Sequence, residues 1–247
     1  MGPEKSRILV TGASAGLGWL TATTLADAGH QVVLHARHAG RLEDAGIIDR
    51  MHGVVFGDLA SADATAHVAE EADGFGPFDA VIHNAGVIDG PDLVAVNVVA
   101  PFLLTALMTP PARMIVLSSS MHLSGSSRQP AAGVSGRRRL SYSDTKLYVT
   151  AFTMAIARRW PQVMTHAVCP GWVPTRMGGP SATDDLTEGH RTQEWLATAA
   201  PGDITPRTGG YWHHLTVRNP HPATLERRVQ DELIDALEKR TGLVLPG

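Results

Sequence analysis

The chain has 247 residues, of which 43% are hydrophobic and 18% are charged, as in ordinary soluble proteins. Its formal net charge of −3 excludes the strongly basic surface of a nucleic-acid-binding domain. Cys169 is the only cysteine, so an internal disulfide is excluded, which suits a reducing cytoplasm. The N-terminal segment lacks the apolar core of a signal peptide, and the most apolar run, 93–108, is too short and interrupted for a membrane span. We expect a cytoplasmic protein.

Short β-branched runs alternate with longer helical patterns along most of the chain. The predicted strands are Arg7–Gly12, Gln31–Arg37, Gly53–Asp58, Asp79–Gly86, Arg113–Ser119 and Val163–Gly171, and the predicted helices are 17–28, 62–72, 93–108 and 141–160. Near-continuous apolar strands that alternate with helices indicate a parallel sheet covered on both faces. With right-handed crossovers this is a doubly wound α/β fold, and the absence of a linker or repeat predicts a single domain over 1–247.

Two long stretches, 120–140 and 176–207, interrupt this alternation. The first is rich in Ser, Gly and Arg, and the second in Gly, Pro, Thr and Asp. Both leave the carboxyl ends of predicted strands, the edge where open α/β sheets bind ligands. We therefore predict that they form a substrate pocket, and their mixed composition favours a fairly large, partly apolar ligand.

The segment Thr11–Gly18, TGASAGLG, joins the first strand to the first helix. Gly12 can make the tight turn, Gly16 lets the backbone approach a pyrophosphate, and Gly18 allows helix and strand to pack closely. The N-terminus of the helix would offer free N–H groups and a partial positive charge to the phosphates. This placement favours a dinucleotide-binding turn over an ordinary glycine-rich loop.

The end of the second strand indicates which dinucleotide binds. A carboxylate there would bind the adenine-ribose hydroxyls and repel a 2′-phosphate. The chain reads His35-Ala36-Arg37 instead, and the Arg37 guanidinium can pair with a 2′-phosphate and stack on the adenine. The alternative is an ordinary surface arginine at a strand end. We therefore predict NADP(H), with NAD(H) as the alternative cofactor.

The ordered set of the glycine turn, HNAG at 83–86, a Ser-rich strand end and Tyr142-x-x-x-Lys146 resembles the short-chain dehydrogenase/reductase family. The resemblance covers about 8–175 and implies a Rossmann fold, a three-layer sandwich around a mostly parallel seven-stranded sheet. The long gap between Ser119 and Tyr142 resembles that of retinol-dehydrogenase-like members, whose substrates are lipophilic. The family usually has Asn where this chain has His83.

The resemblance also implies the site residues. The catalytic tetrad would be Asn97, Ser119, Tyr142 and Lys146. The cofactor would contact Gly12, Ser14, Gly16, Leu17, Gly18, Arg37, Asp58, Leu59, Asn84, Ala85, Gly86, Tyr142, Lys146, Pro170, Gly171, Val173 and Thr175. Asp58 would hold the adenine amino group, and Val173 and Thr175 the nicotinamide carboxamide and diphosphate. Ser119 is preferred to Ser118 and Ser120 because side chains alternate along a strand.

These residue types suit hydride transfer to a carbonyl. The carbonyl oxygen needs a proton, and a free tyrosine, with a pKa of about 10, is a weak acid at neutral pH. Lys146 lies one helical turn from Tyr142, so its ammonium, with the oxidised nicotinamide, would lower the tyrosine pKa. Ser119 can hydrogen-bond to the same oxygen, and in the resemblance Asn97 positions a water that relays protons. The predicted activity is an NADP(H)-dependent interconversion of a ketone or aldehyde and an alcohol.

Other functions stay open. A catalytically silent dinucleotide sensor or scaffold would keep the fold, but it predicts loss of Tyr142 or Lys146, and both are present. An epimerase or dehydratase of the same fold is disfavoured because we find no nucleotide-sugar-binding extension. The predicted partners are a small carbonyl or alcohol substrate and further copies of the chain, in a homodimer or homotetramer through the helices at 93–108 and 141–160.

Five further residues bear on function: two adjacent histidines as metal ligands, and three others that each have two interpretations. The adjacent His213 and His214 should diverge on a strand, and no helical HxxxH or HExxH occurs, so we predict no metal site. His122 is expected on a surface loop, with substrate contact as the alternative. Trp172 and Trp195 either line the cleft or pack in the core.

Overall fold

A computed structural model describes residues 5–42 and 45–246, and its strands form one eight-stranded sheet. The strands are β1 (Arg7–Val10), β2 (Gln31–Ala36), β3 (Gly53–Phe56), β4 (Ala80–His83), β5 (Arg113–Leu117), β6 (Met164–Cys169), β7 (Gly210–His213) and β8 (Thr216–Arg218). Their spatial order is β3-β2-β1-β4-β5-β6-β7-β8. The first seven are parallel, which confirms the doubly wound α/β fold.

The eighth strand corrects the predicted count of seven. β8 pairs antiparallel with β7 across a two-residue turn at His214 and Leu215. Both residues have left-handed backbones, with φ of 46° and 59°, the geometry that matches the twist of a tight hairpin. Asn-Gly is the usual sequence signal for such a turn, and the chain has His-Leu here instead. The hairpin could therefore not be predicted from the local sequence.

Helices cover both faces of the sheet. They are α1 (Gly16–Asp27), α2 (Ala62–Asp73), α3 (Ala100–Leu107), α4 (Pro130–Val134), α5 (Tyr142–Arg159), α6 (Leu186–Thr198) and α7 (Arg227–Thr241). Along β1, Ile8 and Val10 pack in one cluster with α1 and α6, whereas Leu9 packs in another with α2 and α3. This alternation with a period of two residues produces the three layers.

No helix among the described residues is long and apolar enough to cross a membrane.

The long stretches 120–140 and 176–207 are partly helical, which differs from the loops that their composition predicts. α4 lies in the first and α6 in the second. At the start of α6, an Asp185 oxygen accepts the N–H groups of Thr187 at 2.7 Å and Glu188 at 3.1 Å. An Asp followed three residues later by Glu is a helix-start signal that the sequence does carry. Because α6 packs into the core beside α1, that part of 176–207 supports the fold.

α5 carries the predicted Tyr-x-x-x-Lys motif and is buried along its length. A reciprocal capping box starts it: Ser141 Oγ accepts the Asp144 N–H at 3.1 Å, and Asp144 Oδ2 accepts the Ser141 N–H at 2.9 Å. Every residue from Asp144 to Ala157 is buried. Side chains of α4 and α7, including Val134 and Leu237, pack in the same cluster as α5. The α5 part of the predicted oligomer face is therefore covered by other helices of the same chain.

Candidate active site

A cavity of about 500 Å³ lies at the carboxyl ends of the strands, where the chain order reverses between β1 and β4. Most of the predicted site residues line it: Gly12, Ser14, Gly16, Leu17, Gly18, Arg37, Asp58, Leu59, Asn84, Ala85, Gly86, Tyr142, Lys146, Pro170 and Thr175. Asn97, Ser119, Gly171 and Val173 are not among its lining residues. The fold therefore gathers one site from segments far apart in the sequence.

The glycine turn fits the end of β4 closely. Gly12 has a φ of +63°, and a Cβ there would lie 2.7 Å from the Cα of Ala85, so glycine is required on both counts. A Cβ on Gly18 would lie 2.3 Å from Nδ2 of Asn84. That nitrogen donates to the Gly12 carbonyl oxygen at 3.1 Å, so the Asn84 amide joins the glycine turn to β4.

The start of α1 leaves room for an anion. Its N-cap, Ala15, has no side chain that could accept from the first-turn N–H groups, and the first turn carries no acidic residue. Thr175 lies against this turn, since a Cβ on Gly16 would be 3.6 Å from the Thr175 Cγ2. The free helix N-terminus and the nearby hydroxyl can hold a pyrophosphate.

His35 supports the glycine turn from β2, a role that the sequence does not predict. Its Nδ1 accepts the Gly12 N–H at 3.0 Å, and its Nε2 lies 2.9 Å from the Gly57 carbonyl oxygen. Both contacts are satisfied by a neutral imidazole with its hydrogen on Nε2. Burial lowers the pKa of His35, which favours this neutral form. The available signal was a polar residue within an otherwise apolar strand.

Two guanidinium groups and one carboxylate surround the end of the cavity beside β2. Arg37 Nε lies 3.4 Å from Asp58 Oδ1, and both side chains are about half exposed. Arg41, in a 3₁₀ turn after β2, also lines the cavity and was not assigned from the sequence. Arg41 follows Arg37 by four residues in the sequence, and this spacing could have identified it as a second cofactor-binding arginine. The surplus of positive charge suits a 2′-phosphate.

Tyr142 and Ser119 meet at the start of α5. Burial raises the pKa of Tyr142 to about 12, and a hydrogen bond with the Ser119 side chain offsets part of this rise. Ser119 Oγ accepts the Met121 N–H at 3.2 Å. Ser118 lines the cavity, but its Oγ is engaged elsewhere, 2.6 Å from Oγ1 of Thr150. The two serines thus diverge as the strand alternation predicts.

Lys146 is buried beside the tyrosine. Its Nζ lies 5.7 Å from the centroid of the Tyr142 ring and donates to the Leu117 carbonyl oxygen at 2.7 Å. Burial lowers the pKa of Lys146 to about 8. In the chain without cofactor, burial dominates the pKa of Tyr142, and the lowering by the ammonium together with an oxidised nicotinamide stays a prediction.

Asn97 joins α5 to the segment after HNAG. It lies in a π-helical turn, Ala95–Val99, that precedes α3. Its Oδ1 accepts the Val87 N–H at 2.8 Å, and its Nδ2 donates to the Val87 carbonyl oxygen at 2.8 Å and to Thr145 Oγ1 at 3.1 Å. A Cβ on Gly86 would lie 3.4 Å from Asn97 Oδ1 and 3.6 Å from Lys146 Nζ, so both side chains flank this glycine. The proton relay through Asn97 stays a prediction.

A family model described as short chain dehydrogenase matches residues 6–186. The chain belongs to this family of oxidoreductases. Short-chain dehydrogenase chry4 of Gibberella zeae is 35% identical, over 98% of this chain and 99% of its own length.

Two solved structures show the same fold. A Mycobacterium paratuberculosis protein has a TM-score of 0.81 and 23% identity, covering 99% of this chain and 97% of its own. The Pseudomonas aeruginosa RhlG/NADP active-site complex has a TM-score of 0.68 and 21% identity, covering 84% of this chain and 94% of its own. The Rossmann fold predicted from the sequence is thereby confirmed.

After β6, this short-chain dehydrogenase turns sharply away from the sheet. Gly171 has a φ of +86°, and a Cβ there would lie 2.4 Å from Asp184 Oδ2. Val173 is buried under the loop. Trp172 is 52% exposed, and its indole N–H donates to the Gly178 carbonyl oxygen at 2.9 Å, which fixes the ring at the surface. Trp195 packs in the core, 5.3 Å from the Trp212 ring between centroids.

His213 and His214 do not diverge as predicted. Their rings stack with centroids 3.9 Å apart, because His214 lies in the left-handed turn after β7. Each ring contacts a backbone carbonyl oxygen near the end of β6, at Cys169 and Pro170 respectively. Among residues 5–42 and 45–246, no group of three or more His, Cys, Asp or Glu side chains is arranged to hold a metal ion.

Proposed function

We propose that the enzyme transfers hydride from NADPH to a ketone or aldehyde and that Tyr142 protonates the resulting alkoxide. The observation that carries this proposal is that Tyr142 and Lys146 line a cavity bordered by the glycine turn, with the Ser119 side chain hydrogen-bonded to Tyr142. The cofactor, when bound, supplies the hydride, and the chain supplies orientation and the proton.

The residues present fit a dinucleotide. The glycine turn has no space for side chains at Gly12 and Gly18, and the N-terminus of α1 is uncapped by side chains. A cavity of about 500 Å³ falls in the range of cofactor sites. Arg37 and Arg41 would hold the 2′-phosphate, which supports NADP(H) over NAD(H). Asp58, beside Arg37, would bind the adenine amino group.

The protonation states favour reduction. With its pKa raised to about 12, Tyr142 is a protonated phenol at neutral pH and is ready to donate. The Ser119 oxygen already accepts the Met121 N–H, so its own hydrogen can turn toward the substrate oxygen. Lys146, with a pKa of about 8, can restore the tyrosine proton near neutral pH.

Exposed apolar side chains support a partly apolar substrate. Met121 and Leu123 follow the catalytic serine and are 49% and 52% exposed, and Met177 lines the cavity after β6. Trp172 stands exposed on the same loop as Met177. Large exposed apolar side chains that cluster on loops at a binding edge are typical of ligand contacts.

The proposal is tested by following NADPH oxidation with a panel of aromatic and aliphatic ketones and aldehydes. We expect turnover of apolar carbonyls by the wild type and no turnover by Tyr142→Phe. With NADH at equal concentration the rate should be at least tenfold lower, on the order of the loss of one charge-assisted contact. NADPH binding without turnover of any panel member would contradict the proposal and support the catalytically silent sensor.

A further inference from the structure

His122 is fully buried, at 0% exposure, which corrects the surface position predicted from the sequence. It lies in the 3₁₀ turn Ser120–Ser124 that follows the catalytic serine. Its ring packs against that of Tyr211 on β7, with centroids 4.7 Å apart. Its Nδ1 is 2.7 Å from the Ser119 carbonyl oxygen, and its Nε2 accepts the backbone N–H of His221 at 3.0 Å. Both ring nitrogens are therefore engaged by backbone groups.

These two partners define the protonation state. A backbone N–H can only donate, so Nε2 must be without hydrogen where it faces His221. A carbonyl oxygen can only accept, so Nδ1 must carry the hydrogen that it shares with Ser119. The neutral Nδ1–H imidazole is the form that satisfies both contacts. Burial lowers the pKa of His122, in agreement with a neutral ring.

The contact with the His122 ring is one of four that fix the backbone around Ser119, and the His122 N–H also donates to the Ser119 carbonyl oxygen, at 3.1 Å. The Ser120 N–H donates to Cys169 Sγ at 3.1 Å, and the Met121 N–H donates to Ser119 Oγ at 3.2 Å. Together they hold the carbonyl, the next amide and the hydroxyl oxygen of the serine. The Ser119 hydroxyl can aid hydride transfer only if it points at the substrate oxygen, so the backbone around it has to be fixed in position.

His122 also connects this turn to the C-terminal part of the chain. The His221 carbonyl oxygen accepts a hydrogen bond from Thr224 Oγ1 at 2.7 Å, and the His221 Nδ1 accepts one from the Ala223 N–H at 3.1 Å. The segment 221–225 is thus folded on itself and presents one backbone N–H to His122. A residue 99 positions further along the chain therefore supports the catalytic serine.

We propose that His122, as the neutral Nδ1–H imidazole, is a positioning residue that orients Ser119 and links it to the segment 221–225. The inference rests on the proposed function, because that function gives Ser119 its role. His122 itself does not contact the reacting atoms.

Three variants separate the two hydrogen bonds. His122→Asn keeps a donor near the position of Nδ1, His122→Gln keeps an acceptor near the position of Nε2, and His122→Leu keeps neither. With NADPH and the carbonyl of the panel that is reduced fastest, we expect the Asn variant to keep kcat within about threefold. In the Gln and Leu variants kcat should fall about tenfold, as expected for the loss of one hydrogen bond. KM and the NADPH Kd should stay within about twofold, as for an interaction made chiefly in the transition state.

A double-mutant cycle tests whether the effect passes through the serine. In a Ser119→Ala background, His122→Leu should lower kcat by less than about twofold. His166→Leu is the matched control, since His166 is a buried histidine that contacts the Arg207 carbonyl oxygen and the Gly210 N–H. It should lower Tm and leave kcat unchanged. A wild-type kcat for His122→Leu, or an equal loss in the Ser119→Ala background, overturns the proposal.

Side-chain ¹⁵N spectra of the wild-type protein test the same proposal without turnover. His122 is identified by the signals that disappear in His122→Asn, and we expect a protonated Nδ1 and an unprotonated Nε2 at pH 7.5. An Nε2–H or a charged ring overturns the proposal even if no carbonyl is reduced. Absence of turnover by the wild type would contradict the proposed function alone, so the two failures are distinguishable.

Discussion

The ammonium nitrogen of Lys146 lies 5.7 Å from the centroid of the Tyr142 ring, one helical turn along α5. Burial acts on the two groups in opposite directions: it raises the pKa of Tyr142 to about 12 and lowers the pKa of Lys146 to about 8. Burial disfavours the charged form of each, which is the anion of tyrosine and the cation of lysine. Lysine is therefore the member of the pair that titrates close to neutral pH.

Replacing Tyr142 by phenylalanine should remove the proton donor and little else. We expect kcat for carbonyl reduction to fall by at least about 10³-fold, because proton transfer in the transition state is lost. The NADPH Kd, measured by fluorescence titration, should stay within about threefold. A variant that keeps more than a tenth of the wild-type kcat would show that another group protonates the carbonyl.

The pH profile should report Lys146. Its cationic form is present below a pKa of about 8 and is lost as the pH rises through that value. We expect kcat for reduction to fall above about pH 8 in the wild type, because the ammonium helps to restore the phenol proton. Lys146→Met should have a low kcat without this inflection. An unchanged inflection in the variant would assign it to another group.

Gly12 and Gly136 form a matched pair for testing the glycine turn. Both have a positive φ, +63° and +79°, but a Cβ would lie 2.7 Å from the Ala85 Cα at Gly12 and have open space at Gly136. Gly136→Ala should cost about 1 kcal/mol of unfolding free energy, from the left-handed backbone alone. Gly12→Ala should cost ~3 kcal/mol and weaken NADPH binding, because the clash with backbone adds to that cost. Equal losses of unfolding free energy in the two variants, measured by urea unfolding, would show that the clash at Gly12 adds no cost.

Arg37 and Arg41 should set the preference for the phosphorylated cofactor. Arg37→Ala and Arg41→Ala should each raise the NADPH Kd by roughly tenfold, by loss of a charge-assisted contact, and should leave the NADH Kd nearly unchanged. Arg50→Ala is the control, since Arg50 pairs with Asp27 and does not line the cavity. Parallel losses for both cofactors would mean that neither arginine contacts the 2′-phosphate.

The glycine turn and the Tyr142–Lys146 pair could be predicted because each depends on local geometry. Gly12 and Gly18 must lack side chains at a strand–helix turn, and residues four apart on α5 share a face. The apolar alternation within β1 likewise predicts a strand with two buried faces. These features follow from the neighbouring residues alone.

Features that depend on distant segments could not be predicted. The burial of His122 depends on a backbone N–H at residue 221, and the burial of α5 depends on α7 at the far end of the chain. The turn at His214 and Leu215 uses residues that rarely adopt left-handed backbones, so its chemistry gives no local signal. Tertiary packing determines the structure at these positions, and a local sequence pattern carries no information about contacts with distant segments.

The acid sensitivity of the fold should come partly from two buried histidines. Burial lowers the pKa of His83 and of His166 to about 4, whereas a histidine in an unfolded chain has a pKa of about 6.5. As the pH falls, the unfolded chain takes up these protons first. The stability from each neutral histidine is therefore complete above about pH 6.5 and is lost as the pH falls toward 4.

His83→Leu should make the protein less sensitive to acid. Between pH 7.5 and pH 5, each histidine should account for a loss of about 2 kcal/mol in unfolding free energy, so the variant should lose ~2 kcal/mol less than the wild type. Leucine has a similar volume, and His83 Nδ1 has no hydrogen-bond partner among the described residues. Urea unfolding at the two pH values measures the difference. If both proteins lose the same free energy on acidification, His83 is not a source of the acid sensitivity.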